Sequence, residues 1–190
     1  MSQSGVAGPP ALILAAGSAR RFGSDKRLFP IDGVAMLART VGVYRTVFDE
    51  VAVVIRPGEP RIADLVRASG ARVVEAADAS RGQSRSLAAG VAAFDRAPGL
   101  VVGLGDMPFV VPATLRAITD EMSAYPEHIV RPRHDGRPGN PVGFPAHAVA
   151  ALASIEGDTG AREVVASSEN VRFVEVDDPG VLTDVDRPPS

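Results

Sequence analysis

Six short apolar runs recur along the chain, separated by longer stretches of helical spacing, and this alternation constrains the fold more than any other feature. The runs are "ALILAA" (11–16), "VAVVI" (51–55), "ARVVEA" (71–76), "LVVGL" (100–104), "HIVRP" (128–132) and "VRFVEV" (171–176). Their length and β-branched content mark strands. Four are apolar nearly throughout, as strands covered on both faces should be. Helices are expected at 34–47, 60–69, 83–96, 112–124, 145–153 and 159–168, several of them behind Pro, Asp or Ser, which suit helix starts. "VPATLRAITDEM" has its apolar residues at helical spacing after Pro112.

Strand and helix in alternation predict an α/β three-layer sandwich around a mainly parallel, mixed central sheet. There is no internal repeat and no linker that splits the chain, so one domain is expected over 11–190, behind a loose N-terminal tail over 1–10. "RPRHDGRPGNP" at 131–141 reads as a long, breaker-dense connection of the kind that carries function.

Composition narrows the partners. With 190 residues and 45% hydrophobic content, the chain can build a sizeable core. A net charge of −3 gives no global positive field for nucleic acid or an anionic membrane, so any anion site must be local. The absence of cysteine excludes disulfides and thiolate metal sites, and His128, His134 and His147 do not cluster at zinc-ligand spacing. No apolar stretch has the length of a membrane span, and "MSQSGVAGPP" lacks the pattern of a signal peptide. A cytoplasmic location is expected.

In open α/β sheets, ligands sit beyond the carboxyl ends of the strands. The first strand ends near Ala16, so the loop "GSARRFGSDK" leaves the sheet at that edge. Gly17 lets consecutive backbone N–H groups face an oxygen-rich anion, and Arg21 and Lys26 add cationic donors, the chemistry of a triphosphate cradle. The loop is neither G-x-x-x-x-G-K-[ST] nor G-x-G-x-x-G. By residue type alone, a solvated cationic surface loop fits equally well.

The stretch "LAAGSARRFGSDK" resembles the signature L-A-A-G-x-S-x-R-M-G-x-x-K of nucleotidyltransferases with the nucleotide-diphospho-sugar transferase fold. Leu14, Ala15, Ala16, Gly17, Arg21, Gly23 and Lys26 match it, while Phe22 replaces Met and Ala19 replaces Ser. Further stretches resemble the same family. "GLGDMPFV" (103–110) sets Asp106 directly after an apolar strand, where the family carries its metal ligand. "RGQSRSLAAGV" (81–91) is similar to the segment that binds base and ribose, which implies roles for Gly82, Gln83 and Ser86; Ser84 suits a helix N-cap there. "GRPGNPVGF" (136–144) and "GDTGAR" (157–162) resemble segments of the molybdenum cofactor cytidylyltransferases that frame the acceptor, with Asn140 and Arg162 as polar contacts. "LTDVDRPPS" is similar to D-x-D-T-P-E-D, so that Asp184 and Asp186 are second-rank metal ligands, with Arg187 and Pro189 departing from the pattern.

The resemblance implies a Mg²⁺-dependent nucleotidyltransferase that moves CMP from CTP onto the phosphate of molybdenum cofactor and releases pyrophosphate, with molybdoenzyme apoproteins as further partners. Arg21, Lys26 and Asp106 are then the catalytic residues. A guanylyltransferase, or a transferase acting on a sugar or alcohol phosphate, would use the same cradle. A non-catalytic module that holds nucleotide or cofactor is the alternative from another class, and a dinucleotide-dependent oxidoreductase lacks its glycine fingerprint. Phe22, Phe29 and Met36 are expected in the core, and the three histidines on the surface or in loops.

Overall fold

A strand that is apolar on every side must be covered on both faces, and helices on the two sides of one sheet provide that cover here. The computed structural model describes residues 8–17, 25–77, 83–94, 97–154 and 161–186. Within these, the strands are β1 (Ala11–Leu14), β2 (Pro30–Ile31), β3 (Val34–Ala35), β4 (Val51–Ile55), β5 (Arg72–Glu75), β6 (Gly99–Leu104), β7 (Ile129–His134), β8 (Arg137–Pro138), β9 (Val142–Pro145) and β10 (Val171–Glu175). The helices are α1 (Met36–Arg45), α2 (Pro60–Ala68), α3 (Gln83–Val91), α4 (Pro112–Ala124), α5 (Ala146–Ala153) and α6 (Ala161–Ser167).

The main sheet runs β10-β7-β9-β6-β1-β4-β5, with β8 paired to β7 outside that path. β6, β1, β4 and β5 are mutually parallel, as are β7 and β10, whereas β9 lies antiparallel between β6 and β7. This is the expected mainly parallel, mixed sheet. Leu37, Val41, Ile62, Val66, Leu115 and Ile118 of α1, α2 and α4 pack on one face with Ile13, Val53 and Val101. Leu87, Val91, Val149 and Leu152 of α3 and α5 pack on the other with Leu12, Val54 and Val102, joined by Val164 and Val165 of α6. Among the described residues no helix is long and apolar enough to cross a membrane.

The structure corrects the sequence reading in three places. Residues 131–141 are not one long connection: β7 extends to His134 and returns as β8 through a tight turn in which Asp135 and Gly136 both have positive φ. β9, inside the sheet, was not expected at all. The loose tail stops short of residue 10, because Pro10 is buried and its carbonyl accepts a hydrogen bond from Val101 N–H. Residues 1–7 lie outside the described residues.

Candidate active site

β1 and β6 are neighbours in parallel register, with Leu14 beside Leu104, so the segments that follow them emerge side by side at one rim. Gly105 N–H donates to Leu14 O at 2.9 Å, continuing the pairing one step past the strand. A Cβ at Gly105 would stand 3.0 Å from the Ala15 Cβ, so glycine permits the close approach of the two departing segments. Asp106 follows immediately. On the other side, β4 supports the same edge, since Ala15 N–H donates to Val54 O. The chain order of strands reverses between β1 and β6, the position where open α/β sheets bind ligands.

Lys26 opens a single 3-10 turn, Lys26–Leu28, on the segment leaving β1. Its Nζ donates to Asp106 Oδ2 at 2.8 Å and to Asp186 Oδ1 at 3.0 Å. Partial burial by itself would lower the Lys26 pKa, but the bonds and charges of Asp106 and Asp186 outweigh it and raise the pKa above the usual lysine value. The ammonium is therefore held charged against carboxylates from two distant parts of the chain.

The C-terminal segment reaches this rim through a residue the sequence reading missed. Asp178 is buried, and its carboxylate accepts from Gly180 N–H at 2.9 Å, Val111 N–H at 3.0 Å and Thr114 Oγ1 at 2.7 Å. That fastens the chain to the start of α4. Val185 N–H then donates to Asp106 O at 2.9 Å, which brings Asp184 and Asp186 alongside. One carboxylate oxygen from each of Asp106, Asp184 and Asp186 lies within 4.8 Å of the others. The Asp184 carboxyl has a raised pKa, first through burial and then through the negative charges of Asp186 and Asp106. Crowded oxygen donors of one sign suit a hard divalent cation such as Mg²⁺ or Mn²⁺.

Arg27 fixes the segment leaving β1 from below. It is 4% exposed. Its Nη1 donates to Ala15 O at 2.9 Å and to Glu59 Oε2 at 2.7 Å, and its Nη2 donates to Glu59 Oε1 at 2.6 Å and to Asp25 Oδ2 at 2.7 Å. Glu59, just before α2, also accepts from Arg56 Nε at 2.9 Å. The bond to Arg27 holds the Asp25 carboxyl below its ordinary range. Burial would raise Glu59, but Arg27 and Arg56 outweigh it and lower its pKa. The sequence signal was an arginine directly behind Lys26 with an acid two residues before it.

Other expected site residues are distributed as follows. Leu14 closes β1, Ala15 and Ala16 are buried behind it, and Gly17 borders open space. Ser86 lies in α3 and is 5% exposed. Ser84 is fully buried as the second residue of α3, so it is not the N-cap expected for it. Gln83 opens α3. Arg21, Gly23, Gly82 and residues 157–160 of "GDTGAR" lie outside the described residues, as do Ala19, Phe22, Arg187 and Pro189. Asn140 precedes cis-Pro141 and donates its N–H to Val181 O at 2.9 Å. Arg162 is exposed in the first turn of α6. Lys26, Asp106, Asp184 and Asp186 are brought together, whereas Asn140 and Arg162 make no hydrogen bond or ion pair to that cluster. Met36 is buried with Ile31 and Val185, and Phe29 packs against them, as expected. His134 lies on β7 rather than in a loop.

Sheet order, helical cover and the position of the rim define the nucleotide-diphospho-sugar transferase fold. The chain belongs to the MobA-like NTP transferase domain family, whose profile matches residues 11–172. It is 33% identical over 123 residues, 65% of its length, to a probable molybdenum cofactor guanylyltransferase of Pelotomaculum thermopropionicum, of which the match covers 56%. The chain thus spans about half the length of the curated relatives it matches. Among solved structures, Rv0371c from Mycobacterium tuberculosis H37Rv is similar, with a TM-score of 0.81 and 34% identity over 95% of this chain and 93% of that one. A crystal structure of Rv0371C in complex with manganese, from the same organism, gives a TM-score of 0.75 and 31% identity over 89% and 88% of the two chains.

Proposed function

We propose that this chain transfers a nucleoside monophosphate from a nucleoside triphosphate to the phosphate of a molybdopterin-type acceptor, releasing pyrophosphate. The observation that carries the reading is the meeting of Lys26 with Asp106 and Asp186 on the rim between β1 and β6. Family membership and the names of the curated relatives support it. Those names favour GTP as the donor over the CTP suggested by "GRPGNPVGF" and "GDTGAR".

An acceptor phosphate oxygen attacks the α-phosphorus, a new P–O bond forms, and the bond to the β-phosphate oxygen breaks. Both reactants are anions, so the protein's task is alignment and charge neutralisation. Lys26, on the segment leaving β1, neutralises charge on the polyphosphate at this rim. The attacking phosphate is already ionised near neutral pH, so no side chain has to remove a proton. Asp106, Asp184 and Asp186 would hold a divalent cation, which when bound supplies Lewis-acid neutralisation of phosphoryl oxygens. Arg27 keeps Ala15 and the turn carrying Lys26 in fixed relation.

Pyrophosphate release, measured with each of the four NTPs, Mg²⁺ or Mn²⁺ and a molybdopterin-type acceptor, tests the reading. Release that requires acceptor and one preferred NTP is expected. Binding of nucleotide without release under all these conditions would replace the transferase with a binding module.

A further inference from the structure

We infer that Thr40, buried on α1, is a positioning residue for Asp106: its hydroxyl holds the peptide plane from which the Asp106 carboxylate is aimed at Lys26 and at the other two acids. The inference rests on the transferase reading for the metal-bearing role of Asp106, and on the following contacts for the positioning itself.

Helix α1 touches both segments that meet at the rim. Its first N–H, that of Met36, donates to Phe29 O at 2.8 Å, which ties the helix to the segment carrying Lys26. Further along, Thr40 Oγ1 donates to Gly105 O at 3.3 Å, which ties the helix to the segment carrying Asp106. The same hydroxyl lies 3.1 Å from Met36 O, so its proton is shared between the helix and that segment. Arg39, the neighbour of Thr40, donates through Nε to Pro108 O at 3.3 Å. Residues 36 and 40 stand about one turn apart on a rigid helix, so α1 sets the spacing of the two segments.

Two peptide planes flank the Asp106 Cα, and rotation about φ and ψ between them is the backbone's soft freedom there. The plane before it carries Gly105 O, held by Thr40. The plane after it carries Asp106 O, which accepts from Val185 N–H at 2.9 Å, and Met107 N–H, which donates to Leu104 O at 3.3 Å. With both planes held, the direction of the Asp106 Cβ is set, and only side-chain torsions remain to bring Oδ2 to Lys26 Nζ at 2.8 Å. Among the described residues no backbone N–H donates to Gly105 O, so removing the hydroxyl releases the first plane.

The residue type points the same way. Met36, Leu37 and Val41, buried around it on α1, are apolar, and Thr40 is 1% exposed among them. Packing alone would be met by valine, which has nearly the same shape and no polar atom to bury. A buried hydroxyl is costly unless bonded, and this one is bonded to the residue directly before Asp106.

Mn²⁺ is the probe. It is titrated by calorimetry into the 190-residue chain as wild type, Thr40→Val, Thr40→Ser and Val41→Ala, the last of which removes core contacts from the same helix and keeps the hydroxyl. Thr40→Val should bind Mn²⁺ about tenfold more weakly, as expected on losing a group that orients a metal ligand. Thr40→Ser, which retains the hydroxyl, and Val41→Ala should bind as wild type does. Unaltered affinity in Thr40→Val, or an equal loss in Thr40→Ser or Val41→Ala, overturns the proposal. If Thr40→Val folds poorly, Thr40→Ala makes the same comparison. Crystals of the metal-free Thr40 variant should also show the Asp106 carboxylate drawn away from Lys26. A wild type that binds no Mn²⁺ would remove the metal from the transferase reading, and the crystals would then decide: a Lys26–Asp106 contact kept at 2.8 Å overturns the positioning role, and a broken one upholds it. A chain that shows the expected Mn²⁺ pattern but releases no pyrophosphate would remove the transferase reading and leave the role of Thr40 standing.

Discussion

The amino group of Lys26 lies 2.8 Å from the carboxylate of Asp106, across 80 residues of sequence, because the strands that precede them are hydrogen-bonded neighbours ending at the same level. The pair makes Asp106 the first residue to change. Asp106→Asn should lower turnover on the order of 10²–10³-fold, the range for losing one preorganised electrostatic contact. The fold should survive, since Lys26 retains Asp186. Near-normal pyrophosphate release from this variant would refute the assignment.

Lys26 neutralises part of a crowded set of carboxylates, so its removal should expose their repulsion. In metal-free buffer Lys26→Met should be destabilised by about 1–2 kcal/mol, between the values for exposed and buried ion pairs. Mg²⁺ or Mn²⁺ should then raise its melting temperature more than that of wild type, because an ion bound only by the folded state stabilises by mass action. A variant whose melting point ignores divalent ions would argue against a metal at Asp106, Asp184 and Asp186.

Arg27→Met should cost about 3 kcal/mol in urea unfolding, since it leaves the Asp25 and Glu59 carboxylates without their shared partner. The same pair sets an acid limb. Both carboxyls have folded-state pKa values lowered from ordinary values of 3.8 and 4.5. Their contribution is therefore complete above those values and disappears as pH falls through the lower, folded ones. Arg27→Met should flatten this part of the stability profile. An unchanged slope below pH ~4.5 would show that other groups control it.

Asp178 touches no expected substrate, yet it anchors the segment that delivers Asp184 and Asp186. Asp178→Ala should lose on the order of 2–3 kcal/mol, because it unpairs two backbone N–H groups and a buried hydroxyl. It should also weaken divalent-ion affinity, seen by calorimetry, with nucleotide affinity less affected. Equal losses in both would mean that the anchor acts on the whole rim.

The layered architecture was legible because β1, β4 and β6 are apolar on both faces and α4 carries its apolar residues at one spacing. That Lys26 and Asp106 stand at one rim was expected from strand-end logic together with the family resemblance, whereas the direct ion pair between them was not. β9 was illegible for a physical reason. Gly143 weakens its strand signal, but a Cβ there would lie 2.4 Å from Met122 Sδ, so glycine is what lets α4 pack over the strand. Pro145 and cis-Pro141 blur it further. The strands β2 and β3, two residues each, are too short for any periodicity. Arg27 and Asp178 escaped because their partners are remote: Glu59 is 32 positions away, and Val111 is 67. A charge inside an apolar neighbourhood becomes readable only when the residues that neutralise it are known.

The bond from Val185 N–H to Asp106 O also sets a timetable for biosynthesis. Asp186 is translated 80 residues after Asp106, an interval of about 4–16 s at ordinary ribosomal speed. During that interval the emerging polypeptide can own its lysine and first carboxylate but not the other two, so the cluster of three acids can assemble only after the last of them has been added.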